Sequence, residues 1–309
     1  MAKNNNNLRN AKSTKNDEFY TQLSDIEKEL NNYKDFFNGK VVYCNCDDPR
    51  ESNFFRFFSM NFERLGLKKL ITTGYKKDGH GVAFVYEGDK NGNRKVDDAE
   101  VEVIQLQGNG GFETDECIAF LKEADVVVTN PPFSLFRDYV KQLMDYNKKF
   151  LIIGNSNAIT YKEIFPYLKD NQLWLGMNWV KEFIQPNGEI KKFGNICWFT
   201  NVENKKRNQP LDLYRKYNPT DYPKYDNYDA INVDKVTDIP EDYDGVMGVP
   251  ITFLDKYCPT QFEIVDAANR YLLLDYFNVN ERVIREHNHC TNINGKPTYF
   301  RILIRKKVS

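Results

Sequence analysis

Asn130-Pro131-Pro132-Phe133 carries the residue types that can activate a planar aromatic amine. An exocyclic amine on a nucleobase is a poor nucleophile because its lone pair is delocalised into the ring. Two acceptors set against its two N–H bonds localise that pair on nitrogen. The side-chain oxygen of Asn130 can be one and the carbonyl of Pro131 the other. Proline fixes φ and has no N–H, so Pro131 and Pro132 hold such carbonyls at little further entropic cost. Phe133 adds a π face on which an extruded base can stack. No deprotonation before attack is needed, so no histidine has to stand beside the corner. Asn-Pro is also an ordinary turn starter. What singles this one out is the apolar, β-branched stretch before it, residues 124–129, and the helix-starting Ser134-Leu135-Phe136 after it.

The positioning elements follow from periodicity. Leu23, Ile26, Leu30, Tyr33 and Phe37 recur at helical spacing. Strands are expected at 40–46, 67–73, 101–106, 124–129, 150–154, 173–175 and 196–200. Helices are expected at 52–65, with Ser52 as N-cap and Gly66 as stop, and at 114–123 and 136–146. Residues 82–96 read as a hairpin around Asn91-Gly92. Thr160 and Glu163 have capping-box spacing for a further helix. Strands alternating with helices imply an α/β protein with a doubly wound, mostly parallel sheet. Asp89, Asn91, Asn93, Asp97 and Glu100 fall at calcium-loop spacing, but Arg94 stands where that loop needs glycine, so a charged hairpin tip is expected.

Composition narrows the class. The chain has 309 residues, 41 % hydrophobic and 14 % aromatic, enough for one large or two ordinary cores. It shows no long apolar span and no secretory leader, so a cytoplasmic protein without membrane attachment is expected. The net charge of −1 excludes a uniformly basic nucleic-acid binder but leaves room for a local basic face. Six scattered cysteines suggest no disulfide framework. Cys44 and Cys46, and separately His287, His289 and Cys290, lack paired Cys-x-x-Cys spacing, so no zinc site is expected.

Ligands of open α/β sheets bind at the C-terminal ends of the strands. The 40–46 strand runs into Asn45-Cys46-Asp47-Asp48-Pro49 and then a helix start. Asp47 and Asp48 repel phosphate, and no glycine-rich phosphate loop is present. A cofactor with a cationic centre and an α-ammonium suits this turn, and S-adenosylmethionine has both. Taken alone, Asp47 and Asp48 read better as turn and capping residues than as cofactor ligands.

The chain resembles the EcoRI-type family of adenine-specific DNA methyltransferases. The resemblance rests on Asp17-Glu-Phe-Tyr-Thr21, Val41-Val-Tyr-Cys-Asn-Cys-Asp-Asp-Pro49, Val127-Val-Thr-Asn-Pro-Pro-Phe-Ser-Leu-Phe136, Tyr222-Pro-Lys-Tyr-Asp-Asn-Tyr-Asp-Ala-Ile-Asn232, Gly245-Val-Met-Gly-Val-Pro-Ile-Thr-Phe253 and Tyr299-Phe-Arg-Ile-Leu-Ile304. It implies a Rossmann-like, S-adenosylmethionine-dependent enzyme that methylates N6 of an adenine flipped out of double-stranded DNA. Asn130, Pro131, Pro132 and Phe133 then match the catalytic motif. Tyr20 and Thr21 match the segment ahead of the first strand, with Thr21 on the methionine end of the cofactor. Asn45, Cys46, Asp47, Asp48 and Pro49 match the first cofactor motif. Asn109 and Phe112 fall in the third, with Phe112 packed on the cofactor's adenine. The sequence departs from the general pattern in three places. Ser52 and Phe54 replace a glycine pair, Gly111 precedes Phe112 where an aspartate is usual, and no acidic residue closes the 67–73 strand.

The expected organisation is a flexible polar arm over 1–16, a catalytic domain over 17–205, and a C-terminal DNA-recognition elaboration over 206–309. A restriction–modification or host-protection setting is implied, with a cognate endonuclease acting on the same site without a stable complex. The competing readings are methylation of another amine (cytosine N4, RNA or a protein amide) and a DNA-binding protein that has lost catalysis. Cytosine C5 chemistry is disfavoured, since Cys258-Pro259 reverses the nucleophilic Pro-Cys order.

Overall fold

Short β-branched runs buried on both faces build the centre of the larger sheet. In β2 (Val41–Asn45) every residue is buried, as in β6 (Val126–Thr129). Only a strand covered on both faces reads this way. The computed structural model describes residues 20–184, 190–268 and 291–307. The arm over 1–16, most of the 17–21 segment, and His287, His289 and Cys290 lie outside them.

The described chain forms two compact units, one of Met1–Ser156 with Gly176–Val202 and one of Asn157–Leu175 with Glu203–Ser309. Residues 157–175, read from the sequence as catalytic domain, therefore group with the C-terminal unit.

The first unit carries a nine-stranded sheet. Its remaining strands are β1 (Tyr20–Thr21), β3 (Lys69–Gly74), β4 (Val82–Tyr86), β5 (Val101–Gln105), β7 (Lys149–Asn155), β8 (Trp174–Ile184) and β9 (Ile190–Thr200), in the order β1-β8-β9-β7-β6-β2-β3-β4-β5. β7, β6, β2 and β3 are mutually parallel. The flanks are antiparallel, β4 to β3, β5 to β4 and β9 to β7. The strand order reverses between β2 and β6. In open α/β sheets ligands bind outside the carboxyl ends of the strands at such a reversal.

Helices supply the apolar faces. α1 (Leu23–Leu30) buries Ile26 and Leu30. α2 (Asn53–Met60) buries Phe54, Phe57 and Phe58, and Ser52 caps it by accepting from the N–H groups of Phe54 and Phe55. Such a cap contributes about 1 kcal/mol. Phe54 meets Trp198 of β9 edge-on, with ring centres 6.2 Å apart. α3 (Asp115–Glu123) is capped by Thr114, and α4 (Phe136–Asp145) follows the Asn-Pro-Pro-Phe corner directly.

Three local expectations fail. The 52–65 helix breaks at Asn61, whose φ of −111° is not helical. Residues 82–96 do not form a hairpin at Asn91-Gly92; β4 pairs with β3 and β5 instead. The intervening loop satisfies itself, because Asp89 accepts from the N–H groups of Gly92 and Arg94 and Asp97 from the amides of Asn91 and Asn93. The Thr160–Glu163 capping box does not form either. Thr160 donates to the carbonyl of Asn157, and the next helix, α5 (Phe165–Lys169), starts after Ile164 without a side-chain cap.

The second unit holds a four-stranded sheet, β10 (Ala230–Asn232), β11 (Val246–Val249), β15 (Arg301–Lys306) and β12 (Phe262–Ala268) in that order, and the small pair β13 (Asn292–Ile293) and β14 (Lys296–Pro297). The tyrosine-rich 222–232 stretch is structural in part. Asp226 accepts from the N–H groups of Asn294 and Gly295 and so closes the β13–β14 turn. Tyr225 is buried, with its hydroxyl on the Asn232 side chain.

Candidate active site

The two strands beside the reversal end at the two segments singled out by sequence. The hydroxyl of Thr129, the last residue of β6, donates to the carbonyl of Asn45, the last residue of β2. Asn130 follows at 8 % exposure, Pro131 is buried, and Pro132 starts a short 3₁₀ turn in which the Leu135 N–H donates to the Pro132 carbonyl at 3.0 Å. Phe133 is half-buried against the first unit's apolar core and meets Phe183 of β8 edge-on, ring centres 6.5 Å apart.

On the β2 side the chain turns sharply at Cys46, whose φ of +83° is costly for a residue with a Cβ. Asp47 and Asp48 then form a turn, with the Glu51 and Ser52 N–H groups on the Asp48 carbonyl. The Ser52 hydroxyl lies 3.4 Å from an Asp47 oxygen. Pro49 is buried. Burial, with Asp47 nearby, pushes the Cys44 thiol well up, so it is a protonated core group.

Thr21 is brought to the same helix start. Asn53 of α2 donates to the Thr21 carbonyl at 2.8 Å. Thr21 is 1 % exposed, and its hydroxyl has no hydrogen-bond partner among the described residues. A buried hydroxyl without a partner is costly unless a ligand supplies one. Tyr20 is placed by its backbone pairing with Ile184 in β8.

Asn109 and Phe112 arrive through glycines that sequence reasoning passed over. Gly110 has a φ of +76°, and a Cβ there would stand 2.3 Å from the Gly74 carbonyl oxygen at the end of β3. A Cβ on Gly74 would in turn stand 2.7 Å from the Pro49 ring. The turn after β2, the end of β3 and the 108–112 loop therefore lie backbone to backbone. The Lys76 N–H donates to the Asn109 carbonyl and the Gly111 N–H to the Asn109 side chain. The turn after the first strand, which lacks a glycine pair, is thus flanked by glycines on neighbouring segments. The signal was present, in Gly74, Gly81 and Gly110, but their proximity depends on strand order.

Tyr139 of α4 was also missed. Its hydroxyl donates to the Asn45 side-chain oxygen, and its ring meets Phe112 edge-on at 5.1 Å. Gln142, one turn on, donates to the Phe112 carbonyl at 3.1 Å. Burial pushes the Tyr139 phenol well up, which keeps it a donor. No metal-ligating cluster occurs among the described residues.

The fold is mixed α/β, and the 130–133 corner follows directly from the end of β6, one of its central parallel strands. The chain belongs to the EcoRI-type methyltransferase family: the family described as "Adenine-specific methyltransferase EcoRI" matches residues 7–307. The chain is 48 % identical, over 99 % of both sequences, to the Type II methyltransferase M.EcoRI of Escherichia coli. It is 41 % identical to M.MgeORF184P of Mycoplasma genitalium over 96 % of this chain and 98 % of that one. Identity to M.MpnI of Mycoplasma pneumoniae is 40 %, over 96 % and 97 %. No solved structure matches. The chain is accordingly an adenine-specific DNA methyltransferase.

Proposed function

We propose that the 130–133 corner receives an adenine extruded from duplex DNA and that S-adenosylmethionine lies in the crevice between the ends of β2, β3 and β6, as in a Rossmann-like methyltransferase. The observation that carries this reading is the bond from Thr129 to the Asn45 carbonyl, which ties the strand end before Asn130 to the strand end before Asp47. The residues present suit the cofactor. The Thr21 hydroxyl is buried and lacks a partner among the described residues, the Asp47 and Asp48 carboxylates suit a sulfonium and an ammonium, and Phe112 offers a ring to the adenine.

S-adenosylmethionine, when bound, supplies a methyl group activated on a sulfonium. Asn130 and the Pro131 carbonyl accept the two hydrogens of the adenine N6 amine and so localise its lone pair. As the N–C bond formed and the sulfonium S–C bond broke to leave a neutral thioether, they would stabilise the positive charge developing on nitrogen. The extra proton would pass from that nitrogen to solvent after transfer, so no residue has to remove it first. Phe133 stacks on the extruded ring and offsets part of the cost of unstacking.

The C-terminal unit is proposed to contribute to DNA recognition, now including residues 157–175. No helix among the described residues is long and apolar enough to cross a membrane. A cytoplasmic enzyme protecting DNA from an endonuclease that cuts the same site is the proposed setting.

The test is direct. Unmethylated duplex DNA is incubated with the enzyme and methyl-labelled S-adenosylmethionine, then digested to nucleosides. Label should appear in N6-methyl-2′-deoxyadenosine. Label in N4-methyl-2′-deoxycytidine, or none in DNA, would overturn the assignment.

A further inference from the structure

We infer that the β8–β9 hairpin of the first unit is a contact surface for the sugar-phosphate backbone of the DNA strand that delivers the target base. The inference rests on the proposed function and adds the surface that holds the substrate.

β9 pairs with β7 only through Ile196–Thr200, and Asn155 is the last β7 residue in the ladder. Because the pairing is antiparallel, residues 190–195 run past the carboxyl end of β7. β7 is parallel to β6, so this overhang stands on the edge that carries Asn130. Six extended residues span roughly 20 Å. β8 accompanies them. Its Phe183 pairs in register with Thr21 and meets both Phe193 of β9, at 5.5 Å, and Phe133, at 6.5 Å. The hairpin is therefore a wall beside the corner rather than a distant arm.

That wall is basic within a chain of net charge −1. Lys181, Lys191 and Lys192 stand against one acidic side chain of the described hairpin, Glu182, which Lys192 meets at 3.1 Å. The Lys192 side chain is 80 % exposed, so this pairing is weak and yields readily to a phosphate. A cleft of about 440 Å³ is lined by residues of both strands, among them Trp179, Lys181, Lys192 and Phe193. The Lys191 ammonium lies over the Phe193 ring at 5.5 Å. DNA offers each strand's phosphates at one per about 3.4 Å of helix axis. Successive strand residues point to opposite faces, so Lys191 and Lys192 present ammoniums on both sides of the ribbon. They act as point charges, so they position the strand without reading its sequence.

The experiment compares the parent chain with Lys181→Ala/Lys191→Ala/Lys192→Ala and with the corresponding triple arginine variant. Binding to a fluorescein-labelled random-sequence duplex of about 30 base pairs is followed by anisotropy across salt concentrations. The alanine variant should bind about 10²-fold more weakly near 0.1 M salt, and its log–log salt slope should shrink by about 2 to 3. The arginine variant should restore both. S-adenosylhomocysteine affinity, measured by calorimetry, should be the same in all three, which separates lost DNA contacts from misfolding. An alanine variant with the parent's slope and affinity overturns the inference. A parent chain that binds DNA but leaves adenine unmethylated refutes the proposed function instead, and the lysine comparison can still be read.

Discussion

The Tyr139 hydroxyl donates to the side-chain oxygen of Asn45 across ninety-four positions of sequence. One helix, starting where the Asn-Pro-Pro-Phe corner ends, thereby holds the last residue of β2. The same tyrosine packs on Phe112, so both proposed walls of the cofactor crevice meet one side chain. Tyr139→Phe removes the bond and leaves the buried Asn45 oxygen unsatisfied. The expected loss is about 1–3 kcal/mol of stability, with a raised KM for S-adenosylmethionine and a smaller effect on kcat. Calorimetry of cofactor binding beside a melting curve checks this, and unchanged cofactor affinity would remove Tyr139 from the crevice's support.

Asn130→Ala should nearly abolish methyl transfer while sparing cofactor binding, because its proposed contacts form with the flipped base. Phe133→Ala should weaken capture of that base, read as a drop in 2-aminopurine fluorescence change at the target position. Phe133→Tyr should be tolerated, since the ring face is kept. Full activity in the Asn130 variant would refute its role.

Gly110→Ala tests the close backbone contact between Gly110 and Gly74 beside the proposed cofactor crevice. The added Cβ would stand 2.3 Å from a carbonyl oxygen, on a residue whose φ is +76°. Strain of this kind costs on the order of 1–3 kcal/mol even before the loop shifts. The melting temperature should fall and cofactor affinity should fall with it. A Gly110→Ala enzyme with parental melting and binding would mean that the loop yields without consequence.

Glu29 of α1 is fully buried and accepts from the N–H groups of Met177 and Asn178, the Asn178 amide and the Tyr33 hydroxyl. Burial raises its pKa above the usual 4.5, although these donors oppose the shift. The folded protein therefore holds this proton more tightly than the unfolded chain. Its contribution to stability is fully present below the unfolded value and is lost as pH rises through the folded one. Removing the carboxyl group, as in Glu29→Gln, should flatten the pH dependence of melting in the window above 4.5. Melting curves of both proteins across that window decide it; parallel curves would show that Glu29 does not titrate there.

Much of this protein was legible from local signals. The Ser52 and Thr114 caps, the buried β2 and β6 runs and the stiff 130–133 corner each depend on a few adjacent residues, so the sequence by itself determined them, along with the family. Tertiary structure decided what depends on pairing at a distance. β4 could not be seen leaving its expected hairpin to lie between β3 and β5, because strand partners are chosen by sheet order. Gly74 meets the Pro49 turn only because β3 is set beside β2, and Gly110 then packs on Gly74. Glu29 finds its N–H donors only because β8, 148 positions away, is folded against α1. Phe183 comes between Thr21 and Phe133 only through the β1–β8 register. Local chemistry fixes which residues can act, but a crevice is made where segments distant in sequence meet, and only the folded sheet sets those meetings.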